Sequence, residues 1–143
     1  MDVGSVNWLA VLVAGISSFV AGGIWYSPGL FGNAWMKDNK FTTECLKKTK
    51  GKIFGWTIIF SLVMSANLGM FLSEPTTKCA IDCIPKPDMG WGAMAGLLAG
   101  IWTFCAIAIH SLFEQKPWRL ILINGFYSMV SLTLMGAIIG VWR

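Results

Sequence analysis

The chain has 143 residues, of which 55% are hydrophobic and only 13% are charged, and its mean hydropathy is +0.64. Soluble domains average about 25% charged residues, so this composition excludes a soluble globular domain and a disordered chain. The formal net charge of +4 comes without a basic helix or interleaved aromatic side chains, which argues against a nucleic-acid partner.

Four blocks of the chain contain almost no ionisable side chain and predict four transmembrane helices. Each has the ~20 residues that a helix needs to cross a hydrocarbon core of ~30 Å. The first block lacks the basic region and the cleavage site of a signal peptide, so we interpret it as a retained helix. The predicted fold class is an all-α membrane protein, a single domain of two antiparallel hairpins with spans at residues 7–27, 53–73, 89–113 and 118–142.

The basic residues predict the orientation of these spans. Eight of the eleven lysines and arginines lie in the first and third connections, and three lie on the opposite side. The positive-inside rule then places both termini outside, in a bacterial plasma membrane or a mitochondrial inner membrane. Tryptophans at the span ends support the same arrangement, because indole prefers the membrane interface. Trp102, at mid-span, is the exception and is predicted to pack.

The first connection, residues 28–52, opens with a Pro28-Gly29 turn signal. The apolar stretch that follows it is expected to lie along the membrane surface. From Thr42 to Lys50 the pattern predicts a short amphipathic helix, with Glu44 in its first turn and lysines near its end. That helix is either solvated or in contact with anionic lipid head groups.

The predicted outer loop, residues 74–88, contains Cys79 and Cys83 as a CxxxC pair. A disulfide fits an oxidising compartment, and free thiols fit a reducing one. A metal site would need further ligands, and a redox-active pair is normally CxxC. The sequence leaves these alternatives open.

Small residues recur at four-residue spacing on three of the predicted spans. Such stripes allow close approach of helix backbones in lipid, either within one chain or between chains. We expect at least one of them to face another chain. The stripes are Ala10, Ala14, Ser18 and Gly22 on span one, Gly92, Gly96 and Gly100 on span three, and Gly136 and Gly140 on span four.

Four intramembrane polar side chains are candidate functional groups: His110, Asn124, Asn67 and Tyr127. His110 is expected either to hydrogen-bond Asn124 or to pair with Glu114 one turn further on, unless it serves as a proton or substrate relay. Asn67 is the hardest to leave unpaired in lipid and is expected to face the bundle.

No carboxylate or basic side chain lies at mid-depth in any span, where pumps and proton-coupled carriers normally have one. The sequence also lacks a metal-ligand cluster, a nucleophile with a nearby base and a phosphate-binding glycine loop. We therefore predict neither enzymatic activity nor a cofactor, and bound lipids are the only non-protein ligands expected.

Two segments resemble a family of small four-helix membrane proteins, domain-of-unknown-function family 1761. The resemblance implies an integral membrane protein and no particular activity. The loop with Cys79 and Cys83 does not belong to the family pattern, which hints at adaptation to an intermembrane space or a partner. The first segment contains Val6-Asn7-Trp8-Leu9-Ala10-Val11 and Trp25-Tyr26-Ser27-Pro28-Gly29-Leu30-Phe31-Gly32-Asn33-Ala34-Trp35. The second segment contains Leu112-Phe113-Glu114, Lys116-Pro117, Leu122-Ile123-Asn124-Gly125-Phe126-Tyr127 and Met135-Gly136-Ala137-Ile138-Ile139-Gly140-Val141-Trp142.

The leading hypothesis for function is a structural or accessory subunit that packs against other membrane proteins or against copies of itself. The alternative is a small oligomeric channel or carrier, and it requires the intramembrane polar side chains to converge on one continuous face. A third hypothesis is a redox protein that uses Cys79 and Cys83. The side chains of the carrier hypothesis are Ser17, Ser18, Asn67, His110, Asn124 and Tyr127.

Overall fold

The computed structural model describes residues 6–41, 43–73 and 88–142, with 43, 45–50 and 73 described in their backbone only. This part of the chain forms five helices and no strand. Four of the helices are long and apolar enough to cross a membrane, which confirms the predicted fold class. The side of the membrane that each end faces stays a prediction. The helices are α1 (Trp8–Trp25), α2 (Gly32–Asp38), α3 (Thr43–Ser73), α4 (Met89–Phe113) and α5 (Trp118–Val141).

The first connection contains more helix than the sequence predicts. The apolar stretch after Pro28 forms α2, and the short helix predicted from Thr42 to Lys50 is the beginning of α3. No proline interrupts the chain there, and Gly51 costs a helix only about 1 kcal/mol. The basic turns therefore continue without a break into the apolar span Gly51–Leu72.

Neighbouring long helices run antiparallel, as their facing residues demonstrate. Early residues of α1 contact late residues of α3 and of α5, and early residues of α4 contact late residues of α5. The two hairpins, α1 with α3 and α4 with α5, meet where α1 packs on α5. The facing pairs include Val11 with Ser65 and Phe19 with Phe54, Asn7 with Trp142 and Trp25 with Ile123, and Gly92 with Gly136 and Gly100 with Met129.

The central helix is α5, which contacts each of the other four. Eleven of its residues are buried, whereas only three glycines are buried in α4. An apolar core fills one half of the junction between α1, α3 and α5, and polar side chains occupy the other half, near α2. The core residues are Ala14, Leu68, Leu72, Leu132, Met135 and Ile139.

Candidate functional site

The interface between α4 and α5 is a glycine seam, formed by Gly92, Gly96 and Gly100 on α4 with Gly136 and Gly140 on α5. A Cβ atom built on Gly92 would overlap the carbonyl oxygen of Gly136, and one on Gly136 would overlap that of Gly92. A Cβ on Gly100 would lie 2.7 Å from the Cα of Met129. The two backbones are therefore in direct contact, which only glycine permits.

The small-residue stripe of α1 is also used within the chain. Ala10, Ala14 and Ser18 are buried, and a Cβ on Gly22 would lie 2.8 Å from the hydroxyl of Tyr127. The stripes are thus used within the chain, and the expectation that at least one of them also faces another chain stays a prediction. Each stripe faces a helix of the same chain, because α5 presents a complementary surface to both α1 and α4.

Hydroxyl and amide side chains form hydrogen bonds across the interface between α1 and α5. We call this group of residues the polar seam: Ser18, Tyr26, Asn124, Tyr127 and Ser131. The side chains of Ser18 and Ser131 hydrogen-bond each other. The hydroxyl of Tyr127 donates to the carbonyl oxygen of Ser18 at 3.3 Å, and the hydroxyl of Tyr26 donates to Oδ1 of Asn124 at 3.0 Å. Every buried side-chain nitrogen or oxygen in the described part of the chain has a hydrogen-bond partner.

A tight turn after α1 positions the end of this seam. The backbone N–H of Gly32 donates to the carbonyl oxygen of Ser27 at 2.9 Å. A Cβ on Gly32 would overlap the carbonyl oxygens of Tyr26 and Ser27, so the chain reverses here only because residue 32 has no side chain. The turn brings α2 back onto the beginning of α5.

Aromatic rings pack around this turn. The ring of Trp25 lies 4.7 Å from that of Phe31, and Tyr26 lies 5.7 Å from Trp35 and 5.2 Å from Tyr127. The indole nitrogen of Trp25 donates to the carbonyl oxygen of Ile123 at 3.1 Å. Trp25 thus satisfies its polar atom through α5 while its ring packs within the protein.

An ion pair joins α2 to α5. Nε of Arg119 donates to Oδ2 of Asp38 at 2.8 Å, and Nη2 donates to Oδ1 at 2.5 Å, so the pair is bidentate. The hydrogen bond from Arg119, supported by its positive charge, holds the pKa of Asp38 below its ordinary value of 3.8.

Arg119 also borders an open groove of about 270 Å³ between α2 and α5. Its guanidinium is already neutralised by Asp38, so it brings no unpaired charge to the groove. The groove is otherwise apolar, and a charged solute would find no counter-charge on its walls. The lining residues are Trp25, Phe31, Ala34, Arg119, Leu122, Ile123 and Phe126.

Two predicted intramembrane polar residues, His110 and Asn67, lie apart from the polar seam. His110 is exposed on α4, and no hydrogen bond or ion pair joins its side chain to Asn124 or Glu114 within the described residues. The amide of Asn124 instead accepts from Tyr26, because the turn after α1 brings that hydroxyl against α5.

The expectation that Asn67 faces the bundle is wrong, because its side chain is exposed. Its neighbour Ser65 is fully buried and donates from Oγ to the carbonyl oxygen of Val11 at 2.7 Å. Two residues correspond to about 200° around a helix, so Asn67 lies opposite the buried face.

Trp102 does not pack within the chain as expected, since its side chain is 84% exposed on α4. Cys79 and Cys83 lie outside the described residues, so the question of a disulfide stays open. Cys105 is a free, exposed thiol. No group of three or more His, Cys, Asp or Glu side chains that could hold a metal ion occurs in the described ranges.

Sequence reasoning missed the Asp38–Arg119 pair and the contribution of Trp35. The ion pair could have been predicted, because Asp38 and Arg119 have opposite charges and lie on the same predicted side of the membrane. The Trp-Tyr-Ser-Pro-Gly-Leu-Phe-Gly segment also required a turn whose direction the sequence did not reveal. That direction decides which side chains of α2 meet α5.

Two comparisons with known sequences found a match to this chain. Residues 9–140 match the family described as protein of unknown function (DUF1761), which confirms the resemblance found in the sequence. The chain is also 27% identical over 149 residues to a Claviceps purpurea (strain 20.1) protein named MFS-type transporter, across 95% of this chain and 25% of the relative. It thus spans about a quarter of the length of that relative. No solved structure matches the chain.

Proposed function

We propose that this protein, which belongs to the family described as protein of unknown function (DUF1761), is a non-enzymatic accessory subunit of a larger membrane assembly. It packs its helices against those of other membrane proteins in a bacterial plasma membrane or a mitochondrial inner membrane. Lipids are its only proposed small-molecule ligands.

The closed polar seam is the observation that carries this proposal. A carrier or a catalyst must offer polar groups that are free to contact a solute. Here the side chain of Ser18 hydrogen-bonds that of Ser131, and the carbonyl oxygen of Ser18 accepts from Tyr127. Oδ1 of Asn124 accepts from Tyr26. Ser17 donates to the carbonyl oxygen of Ala14 in its own helix. These hydrogen bonds hold helices together and engage the hydroxyls of the seam and Oδ1 of Asn124 in contacts within the chain.

A membrane transporter is the proposed class of partner. The relative named MFS-type transporter contains a stretch similar to nearly the whole of this chain, and that stretch makes up a quarter of its length. In that relative the similar stretch is joined to the rest of the protein in one chain. A separate helical module of the same kind is therefore suited to dock on transporter helices. The outer face of α4 offers the contact surface, since Leu98 and Trp102 are 60% and 84% exposed.

Site-specific photo-crosslinking in native membranes tests this proposal. A photoreactive residue at Trp102 is expected to give one adduct of fixed mass, containing a membrane transporter. The matched control is the same residue at Met135, which is fully buried and should give no such adduct. Adducts with lipid alone at position 102 would contradict the accessory role.

The alternative function, a small oligomeric channel or carrier, is favoured by the name of the relative and by the outward position of Asn67 and His110. Three of its six proposed side chains, Ser18, Asn124 and Tyr127, meet at the polar seam, and the other three do not. Purified protein in sealed vesicles tests this alternative by the release of trapped solutes. The carrier would be favoured over the subunit if vesicles with the wild-type protein released solute faster than protein-free vesicles, and if His110→Ala abolished this release.

A further inference from the structure

The exposed face of α3 contains a polar group that lipid does not satisfy. Asn67 lies five residues inside the end of the span Gly51–Leu72, which is about 8 Å at 1.5 Å per residue. Among the described residues of the four spans, its side chain is the only carboxamide without a hydrogen bond. A carboxamide in hydrocarbon strongly favours any arrangement that supplies a donor and an acceptor, and a second helix at this face would supply both.

The residues around Asn67 have the spacing of a coiled-coil seam. Large apolar side chains precede it at alternating intervals of three and four residues, and each is about half exposed. This is the a/d pattern with which two helices interlock side by side. The outer seam of α3 consists of Ile53 (46% exposed), Trp56 (59%), Phe60 (58%), Val63 (59%) and Asn67.

The α3 helix of a second copy of this chain would have the parallel orientation that such a coiled-coil seam allows. Copies inserted into one membrane share one orientation, so their α3 helices run parallel. Around a two-fold axis the same patch faces itself, and each residue on the axis meets its own counterpart. A primary amide carries both donors and an acceptor, so two Asn67 side chains satisfy each other, as two carboxylates or two ammonium groups cannot.

We propose that the outer seam of α3 is a homodimer interface in which Asn67 of one copy hydrogen-bonds Asn67 of the other. The paired amides set the register of the two helices, as a single polar residue at an a position does in a parallel coiled coil. The glycine seam and the polar seam remain within each copy. The dimer needs no other protein, so the inference is independent of the accessory role.

The affinity of the purified full chain for itself tests this proposal. Energy transfer between donor- and acceptor-labelled copies in phosphatidylcholine vesicles measures the dimer as protein is diluted into lipid. Asn67→Val is expected to weaken the dimer about tenfold, whereas Asn67→Gln retains most of the affinity. Met94→Val, an apolar change at an exposed position of α4, is the matched control and should have no effect. Monomer at every dilution, or equal affinity for Asn67→Val, would overturn the proposal.

Disulfide crosslinking tests the geometry without disturbing Asn67. In a variant with all four native cysteines changed to serine, Val63→Cys lies on the proposed axis and is expected to form a covalent dimer upon oxidation. Leu98→Cys is equally exposed but lies on α4 and should remain monomeric. Equal crosslinking at both positions, or crosslinking at Leu98→Cys alone, would refute an interface through α3. An unchanged helical content by circular dichroism shows that the variants are folded.

Discussion

The two sides of α5 use opposite means to bind a neighbouring helix. Toward α4, glycines bring two backbones into direct contact, and the interface is held by close packing. Toward α1, larger side chains remain, and hydrogen bonds of Ser18, Tyr127 and Asn124 add to the apolar core. Lipid tails are as apolar as leucine, so neither interface gains from expulsion of water. Close backbone packing therefore holds α4, whereas directional hydrogen bonds contribute to holding α1.

The largest expected effect comes from filling the glycine seam. In Gly96→Leu the new Cβ would overlap the carbonyl oxygen of Leu132, which is backbone and cannot move aside. We expect a loss of about 3 kcal/mol in the free energy of unfolding, measured by circular dichroism in mixed micelles at increasing dodecyl sulfate.

The matched control for that variant is Gly55→Ala, where a Cβ meets nothing within 4 Å. It should be neutral or slightly stabilising because alanine favours helix. If Gly96→Leu were as stable as Gly55→Ala, α4 would not be held by backbone contact.

A smaller effect is expected on the polar side of α5. Ser131→Ala removes one hydroxyl of a buried pair and leaves Ser18 without that partner. We expect a loss of about 1 kcal/mol, measured by the same unfolding titration.

The double variant Ser18→Ala with Ser131→Ala measures the coupling between the two hydroxyls. Interhelical hydrogen bonds in membranes couple by ~0.6 kcal/mol on average, so the double variant should lose less than the sum of the single variants. Strict additivity would mean that packing, and not the hydroxyl pair, joins α1 to α5.

The smallest effect concerns α2, which is joined to α5 by the ion pair of Asp38 and Arg119. Because the pKa of Asp38 is lower in the folded protein, the pair stabilises the docking of α2 at pH values above the ordinary pKa of 3.8. That contribution is lost as the pH falls below this value. Amide hydrogen exchange within α2 should therefore accelerate several-fold below about pH 4, relative to the intrinsic exchange rate.

Asp38→Asn is the control for this pH dependence. It should exchange at the faster relative rate at neutral pH and show no further acceleration in acid. Wild-type protein whose α2 exchange follows only the intrinsic rate across that range would mean that the ion pair does not hold α2.

Much of the fold could be predicted because lipid imposes simple constraints. A span must be apolar, about 20 residues long and helical, so four spans followed from composition alone. The continuity of α3 across Lys50 and Gly51 was harder to predict, since a surface helix and a transmembrane helix have the same periodicity. Whether one continues into the other depends on the direction in which the chain enters the membrane.

The candidate site was less predictable than the fold. Asn67 was expected inside and lies outside, although Ser65 only two residues away is buried. In lipid both faces of a helix are apolar, so the hydrophobic periodicity that reveals the buried side of a soluble helix is absent.

Hydropathy and residue spacing were sufficient to predict a helical membrane protein with four spans and to identify the small residues that permit close approach. The tertiary structure alone decided which stripe meets which helix. It also decided that Tyr26, and not His110, pairs with Asn124. The reason is physical: the propensity to cross a membrane is a local property of each segment, whereas partner choice depends on how backbones fit together in three dimensions.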